Sequence, residues 1–373
     1  MQSQINSEND FIKIINNNFF SKIFILSGKN SFYKSGADKI IKKISNKNIF
    51  IYLKNSKEPN IYELKKINVS FNKFKPDLIL AIGGGSVLDY AKILNSTPIN
   101  LSLEKKIRKN HLINFKKKIK LIAVPTTAGS GAESTSSAVI YINKIKYSLE
   151  NEVLIPDFYY LAPKLIIKSL KKIKSSSGFD AISQSIESII SLKSNNKSLN
   201  YAQKSLLISI DNFLTSLHKP NLINTYKMSL AANLSGKAIN ISRTTAPHAV
   251  SYPFTSHFGI NHGHAVSLTL EKFLEFNYTN LKYSNSNFDL KNRFNLLFKI
   301  FKTNNINQLI TKISKIKKKA NLESDFSKLG ININQNYGKI LSGINEQRLS
   351  NNPIKINKDD VKFILLSKKL ILE

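Results

Sequence analysis

The sequence predicts an α/β chain in two parts: a parallel β-sheet flanked by helices over residues 1–168, then an all-helical part over 169–373. Three observations carry this. Short β-branched runs alternate with helix-compatible stretches in the first half, one run leads straight into three glycines, and strand signals fade beyond about residue 168. A chain of 373 residues also exceeds what a single hydrophobic core usually supports, which favours two domains.

In order, IFILSG (23–28) is a first strand ending in glycine, followed by a helix-compatible stretch to Lys43 and a second strand, NIFIYL (48–53). Residues 60–72 form a helix, and DLILAIGGG (77–85) is a third strand ending in Gly83, Gly84 and Gly85. Ser86 and VLDYAKIL, with Asp89 in its first turns, continue as a helix. Without side chains at such a turn, backbone N–H groups and the positive helix end can approach a pyrophosphate closely. The bland alternative is a tight turn with no ligand.

A lysine-rich connection (104–120) leads to a fourth strand, LIAVP, and then to TTAGSGAESTSS. The hydroxyls of Thr126, Thr127 and Ser130 suit a cofactor amide, ribose or phosphate, although such residues commonly serve as turn and cap formers. AVIYI (138–142) and KYSL (146–149) make a hairpin around Asn143 and Lys144. Helical periodicity then covers 178–192, 200–217, 225–241, 265–276 and most of the remainder.

Net charge is +32, yet only Arg108, Arg243, Arg293 and Arg348 are arginines, and the lysines are spread among Asn, Ile and Ser. That spread describes solvated lysine faces and argues against nucleic-acid binding. The absence of cysteine removes disulfides and thiolate metal ligands. No run of about 18 apolar residues predicts a membrane span and the start lacks a leader pattern, so a soluble cytoplasmic protein is expected.

Four of the six histidines, His248, His257, His262 and His264, lie in one short stretch. His248 and His262 are expected to face one another across a segment in which Pro253, Gly259 and the Asn261 turn break any single helix. Two imidazoles so placed can each offer a nitrogen to a divalent cation. In SGFDAISQSIESII, Asp180 and Gln184 share a helix face next to Ser177 and Glu187. A carboxylate facing two histidines would complete a metal site. The plainer reading of Asp180 is a first-turn residue favoured by the helix dipole.

Together AIGGGSVLDYAK, VPTTAGSGAEST, GFDAISQSIES and HAVSYPFTSHFGINHGHA, whose ligand histidines are fourteen apart, make the chain resemble the iron-containing (group III) alcohol dehydrogenases. That family is related in fold to glycerol dehydrogenase and dehydroquinate synthase. The resemblance covers about residues 20–275. It implies a Rossmann-like nucleotide domain and a helical metal domain, the dehydroquinate synthase-like fold. It also implies a nicotinamide cofactor held by Gly28, Asn60, Gly84, Gly85, Ser86, Asp89, Thr126, Thr127, Ser130 and Lys146. The metal positions are Asp180, Gln184, His248 and His262, with iron(II) preferred over zinc(II). Relatives are often dimers or larger, so a homo-oligomer is expected.

Two residues depart from the family pattern. Gln184 stands where the usual fourth ligand is a histidine, and Tyr252 where a second histidine follows the first ligand. Gln184, the phrase GKAINISRTTAPHAVSY and the ending HGHA look like the phosphonoacetaldehyde reductase (hydroxyethylphosphonate dehydrogenase) branch. The implied reaction is reduction of an aldehyde to a primary alcohol, with Tyr252 or His264 relaying the proton. Arg243, Lys237 and His257, with Thr244, Thr245 and His264 nearby in sequence, are the candidates to bind a phosphonate substrate. Ser27, Gly28 and Lys29 end the first strand without the aspartate that repels a 2′-phosphate, which leans the cofactor towards NADPH over NADH.

Other readings are an alcohol dehydrogenase for a non-phosphonate alcohol or aldehyde, a cyclising synthase on the same fold, and a non-catalytic or nucleic-acid-binding descendant. The loop TTAGSGAEST does not match the synthase pattern. Only the charge and the missing histidine ligand support the last.

Overall fold

Residues 2–17 and 19–367 are described by the structure, a computed structural model. The chain up to Ser169, together with Asn221–Ser229, forms one compact unit; Leu170–Pro220 and the chain from Leu230 onward form the other.

The first unit is built on strands β1 (Ser3–Ile5), β2 (Lys22–Gly28), β3 (Asn48–Lys54), β4 (Leu78–Gly83), β5 (Lys120–Pro125) and β8 (Phe158–Tyr160). They form one sheet in the order β1-β8-β5-β4-β2-β3, parallel throughout. β6 (Ser137–Ile142) and β7 (Ile145–Glu150) are the expected hairpin, and its turn residues Asn143 and Lys144 are both left-handed, at φ 50° and 66°. Two successive left-handed residues match the right-handed twist of a tight hairpin. The short β1, the helix α1 (Glu8–Asn16) and β8 were not legible in the sequence; three-residue strands carry too little periodicity.

Helices α2 (Lys29–Ser35), α3 (Ala37–Ile41), α4 (Ile61–Phe74), α5 (Gly85–Ser96) and α6 (Leu103–Arg108) connect the strands, and α7 (Pro163–Ile166) follows β8. The stretch to Lys43 is therefore two helices, divided at Gly36, whose φ of 87° suits glycine. The lysine-rich connection holds α6.

Alternate residues of β4 feed two cores. Leu78, Leu80 and Ile82 join Phe11, Ile15, Phe32 and Ile40, whereas Ile79 and Ala81 join Leu64, Ile67 and Leu88. Burial on both faces explains why the central strands read as near-continuous apolar runs. From β2 the chain runs to β3 on one side, then returns to β4 on the other. The carboxyl ends of β2 and β4, Gly28 and Gly83, thus flank the point where strand order reverses, the usual nucleotide crevice of such sheets.

The second unit is helical. α8 (Lys171–Ile190), α9 (Asn196–His218), α11 (Ala246–Phe258), α12 (His262–Ser267) and α13 (Leu270–Thr279) are followed by five more helices over 290–366 among the described residues, while α10 spans Leu222–Ser242. No helix among the described residues is long and apolar enough to cross a membrane.

Two expectations about this unit are corrected. α8 begins at Lys171, so Asp180 sits mid-helix and is no first-turn residue. Pro253 does not break the histidine segment, because it lies inside α11. A proline removes the hydrogen bond to the carbonyl four residues back, here Ala249, and that carbonyl instead accepts from the Asn345 amide at 3.3 Å. Gly343 leaves room for the ring, since a Cβ there would lie 2.9 Å from Pro253 Cβ. The reversal comes at Gly259, left-handed at φ 68°, before α12 opens on His262.

Candidate active site

In the first unit the glycine turn and the hydroxyl loop meet. β4 ends at Gly83, whose carbonyl accepts from Thr126 N–H at 2.9 Å, tying the ends of β4 and β5 together. α5 starts at Gly85 with Gly84 as its cap, so its first amides lack helical partners. A Cβ on Gly84 would stand 3.5 Å from Thr127 Oγ1, and one on Gly85 would stand 3.0 Å from Ser130 Oγ. The hydroxyl loop thus packs directly against two bare backbone positions at a helix start, the kind of end that can receive a phosphate.

The other first-unit candidates divide. Ser86 and Thr127 are half-buried at the turn, whereas Thr126 is buried beneath it. Gly28 caps α2, with Ser31 Oγ 2.8 Å from where its Cβ would be. Asn60 caps α4, its Oδ1 accepting from Glu63 N–H at 2.9 Å and its own N–H donating to Tyr90 Oη at 2.6 Å. Lys146 is half-buried on β7. Asp89 is buried, and burial lifts its carboxyl to about 6 against the opposing pull of Lys92 and a backbone bond from Val139. It faces the interior of the unit.

In the second unit Asp180, His248 and His262 bring one ligand atom each to within 4.8 Å of one another. His248 Nε2 lies 3.2 Å and His262 Nε2 4.0 Å from Asp180 Oδ1. Ligand atoms at roughly 2.0–2.2 Å from a cation stand about 3–4 Å apart, so the spacing suits a divalent metal. One carboxylate and two imidazoles form a borderline donor set appropriate to iron(II) or zinc(II).

Local sequence explains the convergence. A Cβ on Gly263 would fall 2.0 Å from Ser176 O and 2.8 Å from Asp180 Cβ, so only glycine lets α12 press against α8. His262, one residue earlier, is thereby delivered beside Asp180. His248 is fixed from behind by Glu187, fully buried on α8, whose Oε1 bonds His248 Nδ1 while its Oε2 accepts from Thr245 N–H at 2.8 Å and Thr245 Oγ1 at 3.0 Å. The bond at Nδ1 leaves Nε2 turned to Asp180, the carboxylate–histidine–metal geometry. Burial opposes charge on this ring, but Glu187 and Asp180 outweigh it and lift His248 to about 10. A cation bound by Asp180 and Nε2 would take the place of that ring proton.

The turn before His248 is held as well. Asn351 Nδ2 reaches Ser191 Oγ at 2.8 Å and the carbonyls of Ser242 and Thr244 at 2.9 Å each, on either side of Arg243, which is left-handed at φ 62°.

Gln184 is buried four residues after Asp180, and its Oε1 accepts from Ser235 Oγ at 2.9 Å. Tyr252 is buried with its ring centroid 5.8 Å from that of His262. His264 is directed elsewhere: its Nε2 lies 2.8 Å from the Glu323 carbonyl, and burial chiefly holds its ring below the usual histidine range. Arg243 and Lys237 are half-buried and His257 is exposed at the end of α11. Arg243 donates to the Asn240 carbonyl at 3.1 Å.

Sequence reasoning noted Glu187 only as a neighbour of Asp180 and gave Gly263 and Lys92 no role. Their signals were present: Glu187 is seven residues from Asp180 on one helix face, Gly263 separates two histidines, and Lys92 is the only lysine in VLDYAKIL, directly between apolar Ala91 and Ile93.

Phosphonoacetaldehyde reductase of Streptomyces viridochromogenes is 29% identical over 216 residues, covering 55% of this chain and 54% of that protein. 1-Propanol dehydrogenase of Citrobacter freundii is 28% identical over 225 residues, or 59% of this chain and 57% of its own. The matches thus span just over half the length of these curated relatives. The crystal structure of sulfoacetaldehyde reductase from Bifidobacterium kashiwanohense in complex with NAD+ shares the fold, with TM-score 0.85 and 23% identity over 98% of this chain and 96% of that one. The model for iron-containing alcohol dehydrogenase matches residues 4–163, and that for the C-terminal part of the same family matches 174–369. By these two matches, which between them take in both units, the chain belongs to the iron-containing alcohol dehydrogenase family.

Proposed function

We propose that this protein reduces an aldehyde to a primary alcohol by hydride transfer from a nicotinamide cofactor, assisted by a divalent metal, iron(II) in preference to zinc(II). The observation that carries this reading is the convergence of Asp180, His248 and His262, with Glu187 orienting His248. A metal held by Asp180, His248 and His262 would supply a Lewis acid for the substrate carbonyl. A nicotinamide bound at the glycine turn would supply the hydride, and the protein would supply the proton that the substrate oxygen takes up. Tyr252, beside His262, is the better proton donor; the ring nitrogen of His264 faces the Glu323 carbonyl. Gly84, Gly85 and Ser86 receive the pyrophosphate at the start of α5, with Thr127 and Ser130 alongside.

Two finer assignments belong to this reading. The substrate is a phosphonate aldehyde, phosphonoacetaldehyde, gripped by Arg243 with Lys237 and His257; the similarity to a phosphonoacetaldehyde reductase supports it. The cofactor is NADPH, because Ser27, Gly28 and Lys29 place no carboxylate against a 2′-phosphate. The test is the rate of NADPH and NADH oxidation with phosphonoacetaldehyde and with a neutral aldehyde of similar length, in wild type and Arg243→Ala. The expected result is a preference for NADPH and the phosphonate. Arg243→Ala should raise KM for the phosphonate about tenfold or more while sparing the neutral aldehyde, as loss of a charged hydrogen-bonded pair predicts. Equal effects on both aldehydes would remove Arg243 from the substrate site, and faster turnover with NADH would overturn the cofactor choice.

A further inference from the structure

Lys92 is a fully buried cation in the first unit, 1% exposed, on the helix that follows the glycine turn. Its three ammonium hydrogens meet three acceptors: the Ala132 carbonyl at 2.6 Å, the Ser137 carbonyl at 2.7 Å and Thr135 Oγ1 at 2.9 Å. All three belong to the return limb of the hydroxyl loop. Lys92 is seven residues after Gly85, two helical turns along the same face of α5. That face therefore touches the loop twice, at Gly85 through Ser130 and at Lys92 through Ala132 to Ser137. The two contacts are linked, because Ala132 N–H donates to Ser130 Oγ at 3.4 Å. Asp89 and Glu133, both buried, supply the opposing charge that keeps an ammonium tenable there.

We infer that Lys92 is a positioning residue for cofactor binding: it clamps the hydroxyl loop to α5 so that Thr127 and Ser130 stay opposite Gly84 and Gly85, without itself touching the cofactor. This inference rests on the assignment of the glycine turn to a nicotinamide cofactor. The loop turns at Gly131 with φ 59° and is held at other points too, by Gln2 Nε2 on the Glu133 carbonyl and by Asn151 N–H on the Ser136 carbonyl. Lys92 is what ties the return limb to the helix that starts at the glycine turn.

The experiment measures NADPH and NADH dissociation constants by fluorescence titration for wild type, Lys92→Met and Thr135→Val. Backbone hydrogen exchange over 126–137 is followed in each protein without cofactor, and cobalt(II) binding at Asp180, His248 and His262 is measured by its visible absorbance. Lys92→Met should accelerate exchange in the loop and weaken cofactor binding about tenfold or more, since it leaves buried acceptors unmatched. Cobalt binding should stay within about twofold, a split that general destabilisation does not produce. Thr135→Val, which deletes one acceptor and no charge, should shift loop exchange and cofactor binding the same way by less, and it decides the matter if Lys92→Met does not fold. Wild-type cofactor affinity in the variants would overturn the clamp alone. A wild-type protein that binds neither nucleotide would overturn the cofactor assignment, and the clamp with it.

Discussion

The two units prepare their candidate sites by opposite means. In the first, the groups offered to a ligand are backbone amides and small hydroxyls at the ends of β4 and β5, and precision comes from the absence of side chains at Gly84 and Gly85. In the second, the groups are long side chains from three helices, and precision comes from a buried partner behind them, Glu187 behind His248. A diffuse polyanion needs many donors along a curve, whereas a single cation needs a few atoms converging on a point. Each unit can therefore be perturbed away from its candidate ligand atoms, at Lys92 in one and at Gly263 or Glu187 in the other.

The largest expected effect follows from Gly263→Ala. The new methyl group meets the Ser176 backbone carbonyl, which cannot step aside, so α12 must move off α8 and carry His262 away from Asp180. We expect about 1–3 kcal/mol lost from stability and divalent metal affinity reduced at least about a hundredfold, with nucleotide binding in the first unit retained. Calorimetric metal titration beside nucleotide titration checks this, and equal loss of both ligands would erase the distinction between the units. Next comes Glu187→Gln. The amide cannot hold the imidazole as a carboxylate does, and loss of such an orienting group costs about 10–100-fold in metal affinity. Unchanged affinity would mean that His248 needs no support.

Local sequence predicts some of these residues' roles and not others. Strand, glycine turn and helix around β4 were legible because both faces of the strand are buried and the turn is written in three consecutive glycines. His248 and His262 were legible as a pair from residue type and spacing, and the family resemblance added Asp180 and Gln184; the structure brings Asp180 to the two histidines, while Gln184 Oε1 accepts from Ser235 Oγ. Less legible was everything that depends on a partner distant in sequence. Pro253 reads locally as a helix breaker, and only Asn345, taking up the Ala249 carbonyl, shows why the helix continues. His264 reads as one more imidazole in a cluster, and only the Glu323 carbonyl shows that its ring is held elsewhere. Lys92 reads as one lysine among many, and its three acceptors appear only when α5 lies along the loop.

A smaller effect sharpens the contrast between buried and exposed charge. Glu8 in the first unit pairs with Lys43 and with Lys164 at 3.0 Å, and those two bonds hold its carboxyl below the ordinary range. Because the folded value is depressed, its stabilisation is complete above the unfolded carboxylate range and fades as pH falls through the folded value. Both lysines are more than half exposed, at 57% and 64%, so solvent screening limits the pair of bridges to under about 1 kcal/mol. Thermal unfolding of wild type and Glu8→Gln should differ by a few degrees at most near neutrality and converge in acid and in high salt. A difference that persists in acid would place the effect of Glu8 in packing.

The most direct test of the account is aldehyde-dependent oxidation of NADPH by one preparation of wild-type protein, metal-stripped and then reconstituted with iron(II) or zinc(II). If Asp180, His248 and His262 hold the metal that activates the carbonyl, stripping abolishes turnover, iron(II) restores it more fully than zinc(II), and Glu187→Gln needs more metal for the same rate. Turnover that survives stripping unchanged would contradict the metal assignment and leave Asp180 and His248 as a hydrogen-bonded pair beside His262.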